Sequence, residues 1–147
     1  MEIKRTGEVN YYNDKLNSFD GQHYEWPEDL KQTGTGPLLR LAYVNDFYPY
    51  SFTSSNGQAQ GIEMEFWTRF ANKYNYRLEL YGTTEDGTMI GIQYGKYDVA
   101  VAAIADIYAE EAKSYGFLVT DSYMSENEYL IEVEDETVLT QGEELVF

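Results

Sequence analysis

The segment Leu38-Leu-Arg-Leu-Ala-Tyr-Val44 decides the fold, because it is a short apolar run of the length expected for a buried parallel strand. Gly36-Pro37 precedes it and Asn45-Asp46 follows it, and both pairs are typical of turns. Two further segments are predicted strands: Arg77–Tyr81, which alternates, and Val99–Ala103, which is apolar throughout. The chain therefore contains three candidate strands of one sheet.

Helical patterns separate these strands. Six residues after Gly61 share one helical stripe that we expect to pack on the sheet, namely Ile62, Phe66, Trp67, Phe70, Ala71 and Tyr74. The charged residues between them are expected to lie mostly outside the stripe and to be solvated: Glu63, Glu65, Arg69 and Lys73. Glu85–Tyr94 is predicted to be a short helix that Gly95 ends. This alternation predicts an α/β fold with an open, mainly parallel sheet, right-handed crossovers and helices on both faces.

In such a sheet, a ligand binds outside the carboxyl ends of the strands, where the strand order reverses. If the strand that ends at Val44 is central, two loops line this crevice, Asn45–Phe52 and Ile104–Ile107. The first holds four aromatic rings in eight residues beside a carboxylate and a proline, which suits stacking on a planar or apolar ligand. The residues alone leave open the alternative that these rings only cover the edge of the core.

Four motifs follow one another along the chain: Asp46-Phe-Tyr-Pro-Tyr50, Gly61-Ile-Glu-Met-Glu65, Gly95-Lys-Tyr-Asp98 and Thr120-Asp-Ser-Tyr123. Their order and spacing resemble those of the extracellular or periplasmic solute-binding proteins of family 3, which deliver amino acids and similar polar solutes to ABC transporters. The resemblance covers Leu38 to Val133 and implies one lobe of a type II periplasmic-binding fold. It divides the chain into an aromatic, polar arm with a linker (residues 1–36), a solute-binding lobe (37–133) and an acidic C-terminal segment (134–147).

The resemblance also implies a ligand site, whose expected members are Asp46, Phe47, Tyr50, Phe52, Ala103, Ala105, Asp106 and Lys113. Phe47 would stack on the ligand, with Tyr50 and Phe52 as a supporting wall. The segment from Ala103 to Asp106 would present backbone groups to it. No catalytic residue, metal or cofactor is implied.

The arginine that grips an α-carboxylate in this family has no counterpart here. An ungapped count places Glu110 at its position, and a count back from Asp121 places Lys113 there. Lys113 supplies charge without the planar fork of a guanidinium, and Glu110 would repel a carboxylate. We therefore expect a ligand without a free carboxylate, a cationic ligand, or a domain that has lost small-molecule binding.

The function implied by the resemblance is binding of a small polar solute, amino-acid-like or cationic, as part of an ABC-transporter receptor. The partners would be the solute, a second lobe or neighbouring domain, and a transporter permease. One alternative is an extracytoplasmic ligand-sensing domain of a signalling receptor, attached to a sensor membrane domain. A second is a cleft dehydratase, in which Asp46 or Asp106 would act as acid or base. The chain is otherwise expected not to be an enzyme, and the resemblance implies an extracytoplasmic location, periplasmic or cell-surface.

Length limits this interpretation, since members of the family fold into two lobes. The second lobe begins after the segment equivalent to Tyr129–Val133, and residues 134–147 are too few to form it. We expect a chain cut near the hinge, a natural single-lobed relative, or a longer receptor whose other lobe lies elsewhere. A single lobe offers half a cleft and should bind weakly.

Composition excludes several classes of function. The chain of 147 residues has 26 acidic and 10 basic residues, a net charge of −16, which argues against binding to nucleic acid or anionic membranes. No Lys or Arg follows Lys113, so we expect the acidic C-terminal end to be exposed. The absence of cysteine excludes disulfides and thiolate metal sites. The single histidine, His23, is interpreted as a surface side chain.

The N-terminal arm is rich in aromatic residues: Tyr11, Tyr12, Phe19, Tyr24 and Trp26. Such segments bind sugars or partners in some proteins, but we expect these rings to pack on the core. Thr33-Gly-Thr-Gly-Pro37 resembles a linker between the arm and the lobe.

Overall fold

The computed structural model describes residues 11–12, 14–15, 23–101 and 106–125, without the side chains of 106–108. The elements in chain order are β1 (Leu38–Val44), β2 (Asp46–Phe47), β3 (Ser51–Thr53), β4 (Ala59–Gln60), α1 (Ile62–Lys73), β5 (Arg77–Thr83), α2 (Glu85–Gln93), β6 (Val99–Val101) and α3 (Asp106–Ser114). This order confirms the predicted alternation of strands and helices as far as β6. Helix α3 was not predicted, and its first residues, Asp106 and Ile107, belong to a segment predicted as a loop. Within the described ranges, no helix is both long and apolar enough to span a membrane.

Strand β1 lies at the centre of a three-stranded parallel sheet with the order β5-β1-β6. β5 pairs with β1 along its full length, and β6 pairs on the other side so that Val101 lies opposite Tyr43. The crossover from β1 to β5 and the crossover from β5 to β6 run in opposite directions along the sheet. Right-handed crossovers therefore place α1 and α2 on opposite faces, which confirms the predicted architecture.

The core lies between α1 and one face of the sheet. Its buried members from these elements are Leu41, Tyr43, Ile62, Met64, Phe66, Trp67, Ala71, Leu78 and Val101. Four residues of the predicted helical stripe are thus buried, and Phe70 packs against them in a partly buried position. Tyr74, just past the end of the helix, is 55% exposed. Spacing alone therefore identified the face of α1 that packs on the sheet.

The prediction that Glu63 and Glu65 are solvated is wrong, since both side chains are buried. Glu65 accepts hydrogen bonds from the Tyr24 hydroxyl and from the Lys15 ammonium at 2.6 Å. The Arg69 guanidinium lies 3.6 Å from its other carboxylate oxygen. Burying a lone carboxylate is costly, and here two cations and a hydroxyl donor compensate that cost.

The N-terminal arm packs on the lobe wherever it is described. Tyr12 is fully buried and Tyr24 is 7% exposed, while Trp26 packs against the same core in a partly buried position. Burial raises the pKa of Tyr12 to about 12. These three rings confirm the packing interpretation; Tyr11 is 46% exposed, and Phe19 lies outside the described residues.

The segment 33–37 is bonded to the lobe and is not a free linker. Gly36 donates its amide to the Asn75 carbonyl at 2.9 Å, and the Asn75 side chain accepts from the Thr35 amide at 2.9 Å. The backbone at Gly34 passes so close to Tyr76 that a Cβ atom there would lie 1.8 Å from the carbonyl oxygen. The glycines of this segment therefore serve close packing against the turn between α1 and β5.

Helix α1 begins without a side-chain cap. The Ile62 amide donates to the Pro49 carbonyl, and the Glu63 amide donates to the Tyr50 carbonyl, both at 2.9 Å. Backbone carbonyls thus satisfy amides that the first turn of a helix leaves unpaired. Gly61 permits this arrangement, because its φ is 123° and an added Cβ would lie 2.2 Å from the Tyr50 oxygen.

We predict that Gly61→Ala lowers the free energy of unfolding by about 3 kcal/mol, because it combines an unfavourable φ with displacement of the Tyr50 backbone. Gly57→Ala is the matched control, since Gly57 also has a positive φ but nothing within 4 Å of an added Cβ. That control should lose about 1 kcal/mol. Urea denaturation measures both values, and equal losses would show that the close approach at Gly61 is unimportant.

Candidate functional site

The carboxyl ends of the three parallel strands lie along one edge of the sheet. Val44 at the end of β1 lies opposite Thr83 at the end of β5, and Val101 at the end of β6 lies opposite Tyr43. The Asn45 amide continues the pairing by donating to the Thr83 carbonyl at 3.0 Å. The chain therefore leaves β1 and β6 from adjacent strands at the same edge, as expected for a ligand crevice.

The segment after β1, predicted as a loop, forms a small antiparallel sheet with the order β2-β3-β4. Ser51 is buried, and its hydroxyl donates to the Val44 carbonyl at 2.7 Å. The Thr53 amide donates to the Asn45 carbonyl at 3.0 Å. These two bonds fasten the small sheet to the end of β1.

Phe47, Tyr48, Tyr50 and Phe52 form an aromatic patch on this small sheet. The Phe47 ring is 39% exposed and stacks on Tyr50, with 4.6 Å between ring centroids and 18° between planes. Tyr48 is 45% exposed and packs on Phe52 at 4.9 Å. Phe52 is half-buried, because Tyr24 of the arm lies edge-on against it at 5.6 Å. The patch therefore has an exposed half, Phe47 and Tyr48, supported by a covered half.

The four expected site residues Asp46, Phe47, Tyr50 and Phe52 come together at this edge. Asp106 begins α3, but its side chain, like Ala103 and Ala105, lies outside the described residues. Lys113 lies in the last turn of α3, where its ammonium contacts Glu110 at 2.9 Å. The roles of all eight residues in ligand binding stay predictions.

The three arginines in the described part of the chain are engaged with other groups. Arg40 pairs with Asp98 at 3.0 Å, and its hydrogen bonds lower the pKa of that carboxyl. Arg69 belongs to the Glu65 cluster, and Arg77 donates to a backbone carbonyl at the start of β5. Each guanidinium is therefore held by a partner outside the aromatic patch.

His23 lies at the surface, as predicted. Its side chain is 74% exposed, and Nε2 is 3.4 Å from a Glu25 carboxylate oxygen. Within the described ranges, no cluster of three or more His, Cys, Asp or Glu residues is placed to hold a metal ion.

A second polar site, which the sequence did not indicate, lies in the first turn of α1. Glu63 is 5% exposed, and its Oε1 accepts a hydrogen bond from the Tyr123 hydroxyl at 3.0 Å. Oε2 of Glu63 has no hydrogen-bond partner among the described residues. Burial raises the pKa of Glu63 to about 7, although the Tyr123 hydrogen bond lowers it. Tyr123 is 60 residues away in sequence, so local spacing could not reveal this contact.

Comparisons with known proteins identify one family. The sequence profile described as "Bacterial extracellular solute-binding proteins, family 3" matches residues 39–146. No curated protein sequence matches significantly.

Similar solved structures match about half of this chain. One is an ancestral amino acid-binding protein described as a precursor of cyclohexadienyl dehydratase (31% identity, TM-score 0.44, 52% of this chain and 33% of that chain). Another is the L-cystine solute receptor of Neisseria gonorrhoeae (20% identity, TM-score 0.47, 53% of this chain and 33% of that chain). A third is the arginine-bound form of domain 1 from TmArgBP (21% identity, TM-score 0.43, 50% of this chain and 60% of that chain). The match thus spans a third of the two longer proteins and 60% of the separate domain.

We predict that Glu63→Gln stabilises the protein at alkaline pH. The folded-state pKa of about 7 lies above the ordinary value of 4.5, so the wild type loses stability as pH rises through this interval. At pH 8 the variant should therefore gain up to about 3 kcal/mol in free energy of unfolding, and at pH 4.5 it should gain little.

Urea denaturation at both pH values measures this difference. Glu85→Gln is the control, because Glu85 also lies in the first turn of a helix but is exposed. It should change stability by less than about 0.5 kcal/mol at either pH. A Glu63→Gln effect of the same size at pH 4.5 and pH 8 would contradict the assignment.

Proposed function

Because this chain belongs to the bacterial extracellular solute-binding proteins of family 3, we propose that it binds a small polar solute, amino-acid-like or cationic, at the carboxyl edge of its parallel sheet. The observation that supports this most is the exposed Phe47 ring, which is stacked on Tyr50 beside the exposed Asp46. Ligands of open α/β sheets bind at this edge. A supported aromatic ring beside a single polar group is also typical of small-molecule sites.

The charge of the site favours a cationic or uncharged ligand. Asp46 is the one charged residue in the segment Asn45–Thr53, and the whole chain carries a net charge of −16. Aromatic faces attract cations, and a carboxylate strengthens that attraction. The described arginines bind other groups, so they do not supply the paired hydrogen bonds with which a guanidinium binds an α-carboxylate.

We assign this binding to the receptor of an ABC transporter in an extracytoplasmic location. A permease and a second lobe would be its partners, because one lobe supplies only one wall of a cleft and most of a ligand must be buried for tight binding. The alternative is a ligand-sensing domain of a signalling receptor. A permease gene beside the coding sequence would favour transport, and fusion to signalling domains would favour the sensor.

We propose binding without catalysis. A general acid or base works best when an enclosed site tunes its pKa, and Asp46 lies exposed on a two-residue strand. A dehydratase function would require a second wall that encloses this carboxylate. Turnover of a cyclic acid by the intact protein would contradict the proposal.

We predict that Phe47→Ala weakens ligand binding by an amount on the order of 1–3 kcal/mol, because a stacked ring contact is lost. A library of polar metabolites, screened by NMR chemical-shift mapping, would provide the ligand, and calorimetry would compare affinities. Tyr94→Ala is the control, since Tyr94 is 81% exposed at the far end of α2, away from the carboxyl edge. Ligands that shift only resonances of the N-terminal arm would refute the site.

We predict that Asp46→Asn weakens binding of cationic ligands about 5- to 30-fold and leaves neutral ligands unaffected, because the carboxylate contributes about 1–2 kcal/mol of attraction. Asp29→Asn changes the net charge equally at an exposed position outside the small sheet and serves as the control. Titrations at low and high salt measure the effect, which should shrink as salt rises. Equal weakening of neutral and cationic ligands would show that Asp46 acts through structure.

A further inference from the structure

The segment 117–125 follows α3 and contacts α1 through Tyr123. The Tyr123 ring stacks on Phe66, with 4.7 Å between centroids and 9° between planes, and lies edge-on to Trp67 at 6.1 Å. Met124 beside it is partly buried and packs against the core. The Tyr123 hydroxyl donates to the buried carboxyl of Glu63. One side chain of this segment therefore makes both a ring stack and a polar contact with the helix.

We propose that the contact between Glu63 and Tyr123 is a proton-sensitive latch, which holds the segment 117–125 against helix α1 while the carboxyl is protonated and loosens when the proton is lost. In the docked state the carboxyl has one hydrogen bond, through Oε1, and Oε2 has no partner among the described residues. Such a group tolerates burial better neutral than charged. Release of Tyr123 would expose the carboxylate to water, so that Oε2 could be hydrated.

The other titratable groups near this contact do not replace Glu63 as the group that gains and loses the proton. Tyr123 keeps its proton, because burial and the neighbouring carboxyl raise its pKa well above 10. Glu65 lies two residues further along α1 and is engaged with Lys15 and Arg69. On the docked segment itself, Asp121 is exposed. Tyr12, which lies edge-on to Phe66, has its pKa raised to about 12.

The direction of the response follows from linkage. The docked carboxyl has a pKa of about 7, and release returns it toward its ordinary value of 4.5. The docked state therefore binds the proton more tightly, and docking weakens as pH rises through this interval. The difference between these two pKa values limits the change in the docking equilibrium constant to a factor on the order of 10². The latch needs no ligand, so its test does not depend on the proposed solute binding.

The test uses the whole chain with ¹³C-labelled methionine methyl groups, followed by NMR from pH 4.5 to 8.5 at constant ionic strength. We expect the Met124 methyl resonance to titrate with a midpoint near 7. Amide exchange rates of Tyr123 and Met124, divided by their intrinsic rates at each pH, should rise by up to a factor on the order of 10² across the same range. A Met124 resonance and protection that do not change with pH would overturn the proposal.

Three variants identify the side chains that cause the Met124 titration. Glu63→Gln should abolish the Met124 titration, whereas Glu85→Gln should preserve it. Tyr123→Phe keeps the ring stack and removes the donor that stabilises the charged carboxylate, so the midpoint should move to higher pH. A titration that persists unchanged in Glu63→Gln, or an unmoved midpoint in Tyr123→Phe, would assign the response to another group and refute the latch.

Discussion

The Ile62 amide donates a hydrogen bond to the Pro49 carbonyl, and the Glu63 amide donates one to the Tyr50 carbonyl. The position of the aromatic patch depends on these two hydrogen bonds. The start of α1 has no side-chain cap, so the turn that carries the rings is also the cap of the helix. Ser51 fastens the same turn to the end of β1. Phe47 therefore lies beside a turn that hydrogen bonds hold in place, and this rigidity would lower the entropy lost in the proposed stacking of a ligand on the ring.

Local patterns were sufficient to predict the main sheet and helices α1 and α2, but not α3. The predicted bounds of β1 are those of the structure, and β5 extends only two residues beyond the predicted Tyr81, to Thr83. Alternating or continuous apolar residues are properties of neighbouring positions, so such signals need no knowledge of the fold. The central position of β1 was a condition of the prediction and not its result, and the structure supplies it. Given that position, parallel strands end at one edge of the sheet, which explains why the shared edge of β1 and β6 could be predicted.

Contacts between distant segments could not be predicted in this way. Glu65 faces Lys15 and Tyr24, which lie 50 and 41 residues away in sequence, and its charge had suggested a solvated position. The same reasoning interpreted residues 33–37 as a linker, but Gly34 and Gly36 allow this segment to pack closely against the lobe. The aromatic segment was assigned to a loop because β2 and β3 are too short to show a period. For Glu65 and for residues 33–37, a partner outside the local window decided the structure.

Helix α1 buries two carboxyl groups two residues apart, and the surrounding chain treats them differently. Two cations and a hydroxyl surround Glu65; the arm contributes Lys15 and the Tyr24 hydroxyl, and α1 itself contributes Arg69. Glu63 has a single neutral donor, so burial shifts its pKa to about 7 and a proton becomes the compensating charge. The arm is consequently fixed to α1 by an ion pair and a hydrogen bond to Glu65. The segment around Tyr123 instead contacts a carboxyl group whose pKa burial raises to about 7, so the two attachments to α1 should respond differently to pH.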